Sequence, residues 1–291
     1  MTAVTELTWD DEMRTAVDRL THTAEENYYN PYQTFEWPDH IDEGIPWMSA
    51  DLMTVHGTEA AADLSPAQRL ALSKWESIHF YSLNVHGIRD LMTEVVARIH
   101  TPGFEIPTPF FHHFLGEENE HMWFFAEFCL RYGGKIYPDR TMAFPREPAS
   151  PVVDHFIVFS RILIFEIIVD YFNSRMAADA TLPETIRAIN RVHHQDESRH
   201  IAFGCHLVRV LFDRLQATCE PAEVEQARRY VARYIESSLH QMYSVDAYRD
   251  AGIDRPAAFR QRLLADPGRR AVHDAFAGRA YSFYRRIGVL A

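Results

Sequence analysis

Cysteine is scarce in this sequence of 291 residues. There are three cysteines, Cys129, Cys205 and Cys219. An odd and small number does not form a disulfide framework, and their wide spacing does not match a cysteine-based zinc motif. We therefore expect a protein of the reducing cytoplasm.

Basic charge and long apolar runs are scarce as well. Lys and Arg number 29 against 41 Asp and Glu, a net charge of -12, which argues against binding a phosphate backbone. The most apolar run, residues 156–172, is interrupted by Arg161, Glu166 and Asp170, and membrane spans avoid such residues. The first residues are acidic and lack the apolar stretch of a signal peptide. We expect no nucleic-acid partner, no membrane insertion and no export.

Apolar residues are plentiful, with 47% hydrophobic and 13% aromatic composition, enough for the core of one large domain. We expect residues 1–291 to form a single domain. Within it, residues 1–64 would form an arm, irregular over 22–50, residues 65–215 the main bundle, and residues 216–291 further helices.

Four long helices are predicted in the central part of the chain. Start signals such as Ser65-Pro66 and the stop signal Gly133-Gly134 bound them at about 65–100, 107–132, 151–178 and from 183 past 211. The connection between the second and third is about 18 residues long and rich in proline, which is the long crossover that a ferritin-like bundle needs. The predicted fold is all-α, a ferritin-like four-helix bundle with additional helices.

The second helix carries a carboxylate and an imidazole on an otherwise apolar face. Glu118 and His121 recur with Phe114, Phe125 and Phe128 at steps of three and four residues, so all five share one stripe. Burying these two polar groups unpaired would be costly, which indicates a ligand between them.

The fourth helix repeats this design with His193, Glu197 and His200 on one face, and the third helix offers Glu166 among apolar neighbours. Two helices with Glu-x-x-His and two with one carboxylate each form the carboxylate-bridged di-iron pattern of ferritin-like proteins. We therefore predict a centre of two iron ions that uses O2 as co-substrate.

The first long helix must supply the remaining carboxylate. Counted from the turn, Asp90 lies level with Glu118, whereas Glu76 is about 20 Å away along the helix axis. Asp90 is the predicted ligand, with Glu94, Glu76 and His86 as alternatives. Four carboxylates would neutralise the charge of two ferrous ions.

Charged residues next to the predicted ligands could orient them. Asp196 precedes Glu197 and could accept a hydrogen bond from a neighbouring imidazole, fixing its tautomer. Arg199 could pair with Asp196 or with Glu117.

The motif from His193 to His200, His-His-Gln-Asp-Glu-Ser-Arg-His, resembles the last motif of the p-aminobenzoate N-oxygenase family of di-iron enzymes. That family has an extra histidine one turn before the last glutamate, and His193 takes this place. The resemblance also covers Glu118, His121 and Glu166, and it spans roughly residues 65–215.

The chain departs from the family pattern in the first long helix. The family ligand there is a glutamate, for which the sequence offers Asp90, while an ungapped comparison places Ile88 at that position. The resemblance implies an external electron donor, a homodimer, and stepwise oxidation of an amine to hydroxylamine, nitroso and nitro products in secondary metabolism.

Three other functions fit the same residues. One keeps the metal centre but hydroxylates, desaturates or cleaves a carbon substrate, because the fold hosts several chemistries. The second is metal binding or storage without organic oxidation. The third is a binding protein in which the cluster is a metal-free polar network. The residues do not decide between iron and manganese either, since carboxylate and imidazole ligands suit both.

Overall fold

The computed structural model of the protein describes residues 9–139 and 149–291. Over these ranges the chain is helical and contains no β-strand. The helices in chain order are α1 (Asp11–Glu26), α2 (Pro31–Thr34), α3 (Pro66–Val96), α4 (Thr108–Phe128), α5 (Pro151–Ala178), α6 (Glu184–Thr218), α7 (Pro221–Gln241), α8 (Val245–Asp250), α9 (Pro256–Ala265), α10 (Gly268–Phe276) and α11 (Gly278–Arg286). A 3-10 turn, Glu59–Asp63, precedes α3, and a π turn, Cys129–Gly133, extends α4.

The four long helices α3 to α6 form the bundle, as the sequence predicts. The start of α3 is fixed by a capping box, in which the Ser65 hydroxyl accepts from the Gln68 backbone N–H at 3.2 Å and Pro66 takes the first turn. After the π turn, Gly134 adopts a left-handed φ of 66° and ends the helix. Residues 140–148 of the predicted long crossover, with two of its prolines, lie outside the described residues.

Ring contacts fix the register of α3 against its neighbours. Tyr81 stacks on Phe125 of α4 with ring centroids 5.1 Å apart, and Phe80 stacks on Phe172 of α5 at 5.0 Å. A Cβ atom at Gly87 would collide with the ring of Phe165, so α3 and α5 approach closely at this point. The two contacts with α5 run in opposite chain directions, so α5 is antiparallel to α3. The contact of Gly133 with Ile78, together with that of Phe125 with Tyr81, shows the same for α4.

The N-terminal segment and the C-terminal helices cover the bundle. The segment is more regular than predicted at its start, because α1 is an amphipathic helix with Met13, Val17 and Leu20 buried. Tyr284 of α11 donates a hydrogen bond from its hydroxyl to the Ser160 carbonyl of α5 at 3.2 Å. These additions leave the interior of the bundle enclosed.

In the part of the chain that the structure describes, none of the helices combines the length and the apolar character that crossing a membrane requires.

Candidate metal centre

Three helices of the bundle bring six buried acids and imidazoles together in its interior. Each is at most 2% exposed: Glu118 and His121 on α4, Glu166 on α5, and His193, Glu197 and His200 on α6. Ligand atoms of four of them, Glu118, His121, Glu197 and His200, lie within 4.8 Å of one another, close enough to bind metal together. The three- and four-residue spacings within each motif place these side chains on one face of their helix.

The carboxylates of Glu118 and Glu197 lie between the imidazoles. His200 Nδ1 is 2.8 Å from Glu118 Oε1 and 3.4 Å from Glu197 Oε1. His193 Nε2 is 3.0 Å from Glu197 Oε1, and His121 Nδ1 is 3.3 Å from Glu118 Oε1. Glu118 and Glu197 therefore each have a carboxylate oxygen close to at least two imidazole nitrogens.

The inner atoms of the cluster have no well-formed hydrogen bonds. Within the described ranges, these atoms are both carboxylate oxygens of each acid, His121 Nδ1, His193 Nε2 and His200 Nδ1. Buried polar atoms are rarely left without a partner, since each costs about 1–3 kcal/mol. The orphaned atoms all point to one place and are oxygen and nitrogen donors, so the site fits divalent iron or manganese.

The outer ring nitrogens, in contrast, are held by hydrogen bonds. His121 Nε2 donates to Asp196 Oδ2 at 3.0 Å, and His200 Nε2 donates to Glu117 Oε2 at 2.7 Å. The amide group of Asn173 lies against Nδ1 of His193. Because their outer nitrogens donate to carboxylates, His121 and His200 keep the lone pair of the inner nitrogen for a metal ion. At His193 the Asn173 amide nitrogen, a donor, faces the outer nitrogen.

Arg199 joins two of these outer partners. Its Nη2 donates to Asp196 Oδ1 at 2.6 Å and to Glu117 Oε1 at 2.7 Å, so both pairings considered from the sequence are present. The Tyr29 hydroxyl, from the segment after α1, donates to Asp196 Oδ2 at 3.0 Å. The arm thus contacts the hydrogen-bond network behind His121.

The predicted role of Asp196 agrees with this geometry, and two outer partners were missed. The sequence predicts Glu117 as a partner of Arg199 but not of His200, although Glu117 adjoins Glu118. Asn173 lies seven residues after Glu166 on the same helix, two turns along the same face. That spacing was the signal that could have identified it.

Protons balance the charges of the cluster when metal is absent. Burial alone would lower the pKa of His121, but Glu118 and Asp196 raise it to about 10. Burial, together with the charges of Glu197 and Glu118, raises the pKa of Glu166 well above its usual range. Burial would also raise the pKa of Glu197, but His193 and His200 hold it well below. A divalent cation would replace these protons.

The structure does not bring the predicted ligand Asp90 to the cluster. Its side chain is 55% exposed and pairs with Arg89 at 3.2 Å. The predicted height of Asp90 along α3 is close to that of the cluster, but its side chain lies on the outer face of the helix. Each residue turns an α-helix by about 100°, so a position at the right height can point away from the interior. Ile88, two residues earlier, is fully buried and faces the interior instead.

The three alternatives on α3 are engaged elsewhere. Glu94 pairs with Arg98 at 2.8 Å. Glu76 is buried, but it accepts a hydrogen bond from the Thr54 backbone N–H at 3.1 Å. His86 Nε2 lies 2.7 Å from a backbone carbonyl oxygen. All residues of α3 are described, and none of its acids or histidines joins the cluster.

An antiparallel helical bundle with inward-facing Glu-x-x-His motifs on two helices defines the class, a ferritin-like metal-carboxylate protein. The sequence profile of the p-aminobenzoate N-oxygenase AurF matches residues 10–288. The chain belongs to this family of oxygenases, and it is an oxidoreductase. Among curated proteins, none matches the chain.

Solved structures agree on the fold. An R2-like ligand-binding oxidase with a reconstituted Mn/Fe cofactor shares 13% identity at a TM-score of 0.54, covering 98% of this chain and 95% of that chain. A variant of the same oxidase with an Fe/Fe cofactor gives 14% identity and a TM-score of 0.50, covering 98% and 95%. At these identities the likeness supports the ferritin-like fold alone.

Proposed function

We propose that the protein binds two metal ions, iron or iron with manganese, and uses O2 to oxidise an organic substrate, an amine nitrogen in first place. The ligands would be Glu118, His121, Glu166, His193, Glu197 and His200. The observation that carries this proposal is the set of orphaned inner donor atoms, whose outer counterparts are all hydrogen-bonded. Membership of the oxygenase family supports the reaction with O2.

The protein side chains would hold and orient the metal ions. When bound, the ions supply the electron transfer to O2 that amino-acid side chains cannot perform. Glu118 and Glu197 approach several imidazoles and would hold the ions together with them. Asp196 and Glu117 would fix the tautomers of His121 and His200, Asn173 would orient the ring of His193, and the enclosed core would keep bulk water out.

A cavity of about 500 Å³ between α3, α5 and α7 is the proposed substrate site, and none of the six clustered residues lines its wall. Its wall includes Ile162 and Val169 of α5, which lie four residues before and three after Glu166 on the same face, and Asn84 of α3. Asn84 is fully buried and its Oδ1 has no hydrogen-bond partner. An amide oxygen of this kind can accept a hydrogen bond from an amine N–H, which favours an amine over a hydrocarbon substrate.

The remaining parts of the proposal rest on composition and family resemblance. An external electron donor is included because insertion of one oxygen atom and reduction of the other to water consumes electrons. Three unpaired cysteines support a cytoplasmic location. A homodimer is proposed from the resemblance alone.

The experiment that tests this function exposes iron-loaded, reduced protein to O2 with a panel of arylamines and alkylamines. We expect hydroxylamine, nitroso or nitro products by mass spectrometry, and none from Glu197→Gln protein treated in the same way. Oxygen on carbon would favour the hydroxylase alternative. Ferric mineral without an organic product would favour metal storage.

A further inference from the structure

The register of α3 shows which residue faces the centre from this helix. Ile88 lies seven residues after Tyr81, and Glu118 lies seven residues before Phe125. Because Tyr81 stacks on Phe125 and the two helices are antiparallel, Ile88 and Glu118 lie at one level. The close approach of Gly87 to Phe165 places the same turn of α3 beside Glu166.

This inner face of α3 is free of charge. It is formed by residues that recur every three or four positions and are at most 4% exposed: Tyr81, Asn84, Ile88, Leu91 and Val95. A branched aliphatic side chain therefore stands at the level where a four-carboxylate centre would have an acid. The Ile88 side chain has no atom that could bind a metal ion, and it fills this space and excludes water.

The missing acid leaves the donors unevenly distributed. Glu118 and Glu197 lie between the imidazoles of α4 and α6 and belong to neither side. Apart from these two acids, α5 and α6 offer Glu166, His193 and His200, whereas α3 and α4 offer His121 alone. Three carboxylates against two divalent ions leave one positive charge uncompensated by the ligands.

We propose, on the basis of the function above, that the two metal positions are unequal. The position on the α5–α6 side binds its ion tightly. The position of His121, opposite Ile88, binds its ion weakly and is filled second. Cation affinity follows the number and charge of the donors, and both favour the first position.

Anaerobic calorimetric titration of metal-free protein with Fe(II) tests this inequality. We expect two steps of one ion each, with dissociation constants about ten-fold or more apart. His121→Ala should abolish the weak step and leave the tight one, whereas His193→Ala should weaken the tight step. These variants each remove one imidazole from the same cluster, so they serve as matched controls.

Replacement of Ile88 provides a second, independent test. Ile88→Glu should bring the weaker affinity closer to the tighter one, and Ile88→Gln, which has the same shape without the charge, should not. Mössbauer spectra with less than one iron per chain should show one site in the natural protein.

The outcomes separate this inference from the proposed function. Two ions bound with equal affinity, or equal losses from His121→Ala and His193→Ala, would overturn the inequality and leave the function intact. A single bound ion that is insensitive to His121→Ala would support the inequality and remove the two-ion function. Failure to bind any metal would overturn both.

Discussion

The two hairpins of the bundle differ in what they contribute to its interior. The α5–α6 hairpin supplies four of the six clustered polar residues, Glu166, His193, Glu197 and His200, while the α3–α4 hairpin supplies two, both from α4. α3 is a long and well-buried helix like its partners, yet its inner face carries no charged side chain. The difference shows that a helix can hold its place in a ferritin-like bundle without contributing a ligand.

Packing explains why α3 keeps its place without a ligand. Its contacts with the neighbouring helices are made by aromatic rings and a close backbone approach, through Tyr81, Phe80 and Gly87. None of these contacts needs an acid at Ile88. The fold of the bundle and the composition of its metal centre can therefore vary separately.

Replacement of Glu197, in the α5–α6 hairpin, should have the largest effect on metal binding. Its Oε1 lies 3.0 Å from His193, 3.4 Å from His200 and 3.8 Å from His121. Glu197→Gln keeps the shape and removes the charge, which should cost about 3–5 kcal/mol of binding free energy. Metal analysis after anaerobic loading should find less than one ion per chain; two retained ions would show that Glu197 is not a ligand.

Glu76, the buried acid that α3 does carry, should affect stability rather than metal binding. Burial raises its pKa from 4.5 to about 7, although hydrogen bonds from Thr54 lower it in part. The folded state therefore holds the proton more tightly than the unfolded state. The stability from this group is complete below about pH 4.5 and is lost as the pH rises through about 7.

Comparison with Glu76→Gln isolates that contribution. In metal-free protein, the free energy of unfolding of the natural chain relative to the variant should fall by about 2–3 kcal/mol between pH 4.5 and 7. Urea unfolding at several pH values measures it. Parallel pH profiles of the two proteins would contradict the assignment.

A smaller effect on metal affinity is expected from Asp196, which accepts a hydrogen bond from the outer nitrogen of His121. Asp196 accepts from His121 at 3.0 Å and from Arg199 at 2.6 Å. Asp196→Asn should weaken the His121 position by about ten-fold, because the imidazole loses a charged acceptor. The affinity of the tight position should not change; an equal loss at both positions would point to a general disturbance of the fold.

The smallest expected effect is at Asp90. Its exposed side chain pairs with Arg89, and exposed pairs contribute about 0–1 kcal/mol to stability. Asp90→Asn should leave metal content and affinity unchanged in the same titration. If Asp90→Asn protein bound one ion fewer, Asp90 would be a metal ligand, and the two hairpins would no longer differ in this respect.

The sequence predicted most of the fold and six residues of the cluster because both depend on helical periodicity. Glu118, His121, His193, Glu197 and His200 lie in short motifs whose spacing alone puts them on one face. Asp90 failed because its position was judged by level along α3 and not by angle around it. The face of α3 depends on contacts such as Tyr81 with Phe125, which are set by packing between distant parts of the chain.

The most direct test of the account is anomalous diffraction at the iron edge from crystals of iron-loaded protein. The account predicts two iron peaks surrounded by Glu118, His121, Glu166, His193, Glu197 and His200, with Ile88 as the nearest residue of α3. No iron in this cluster, or an iron ligand from an acid of α3, would contradict it.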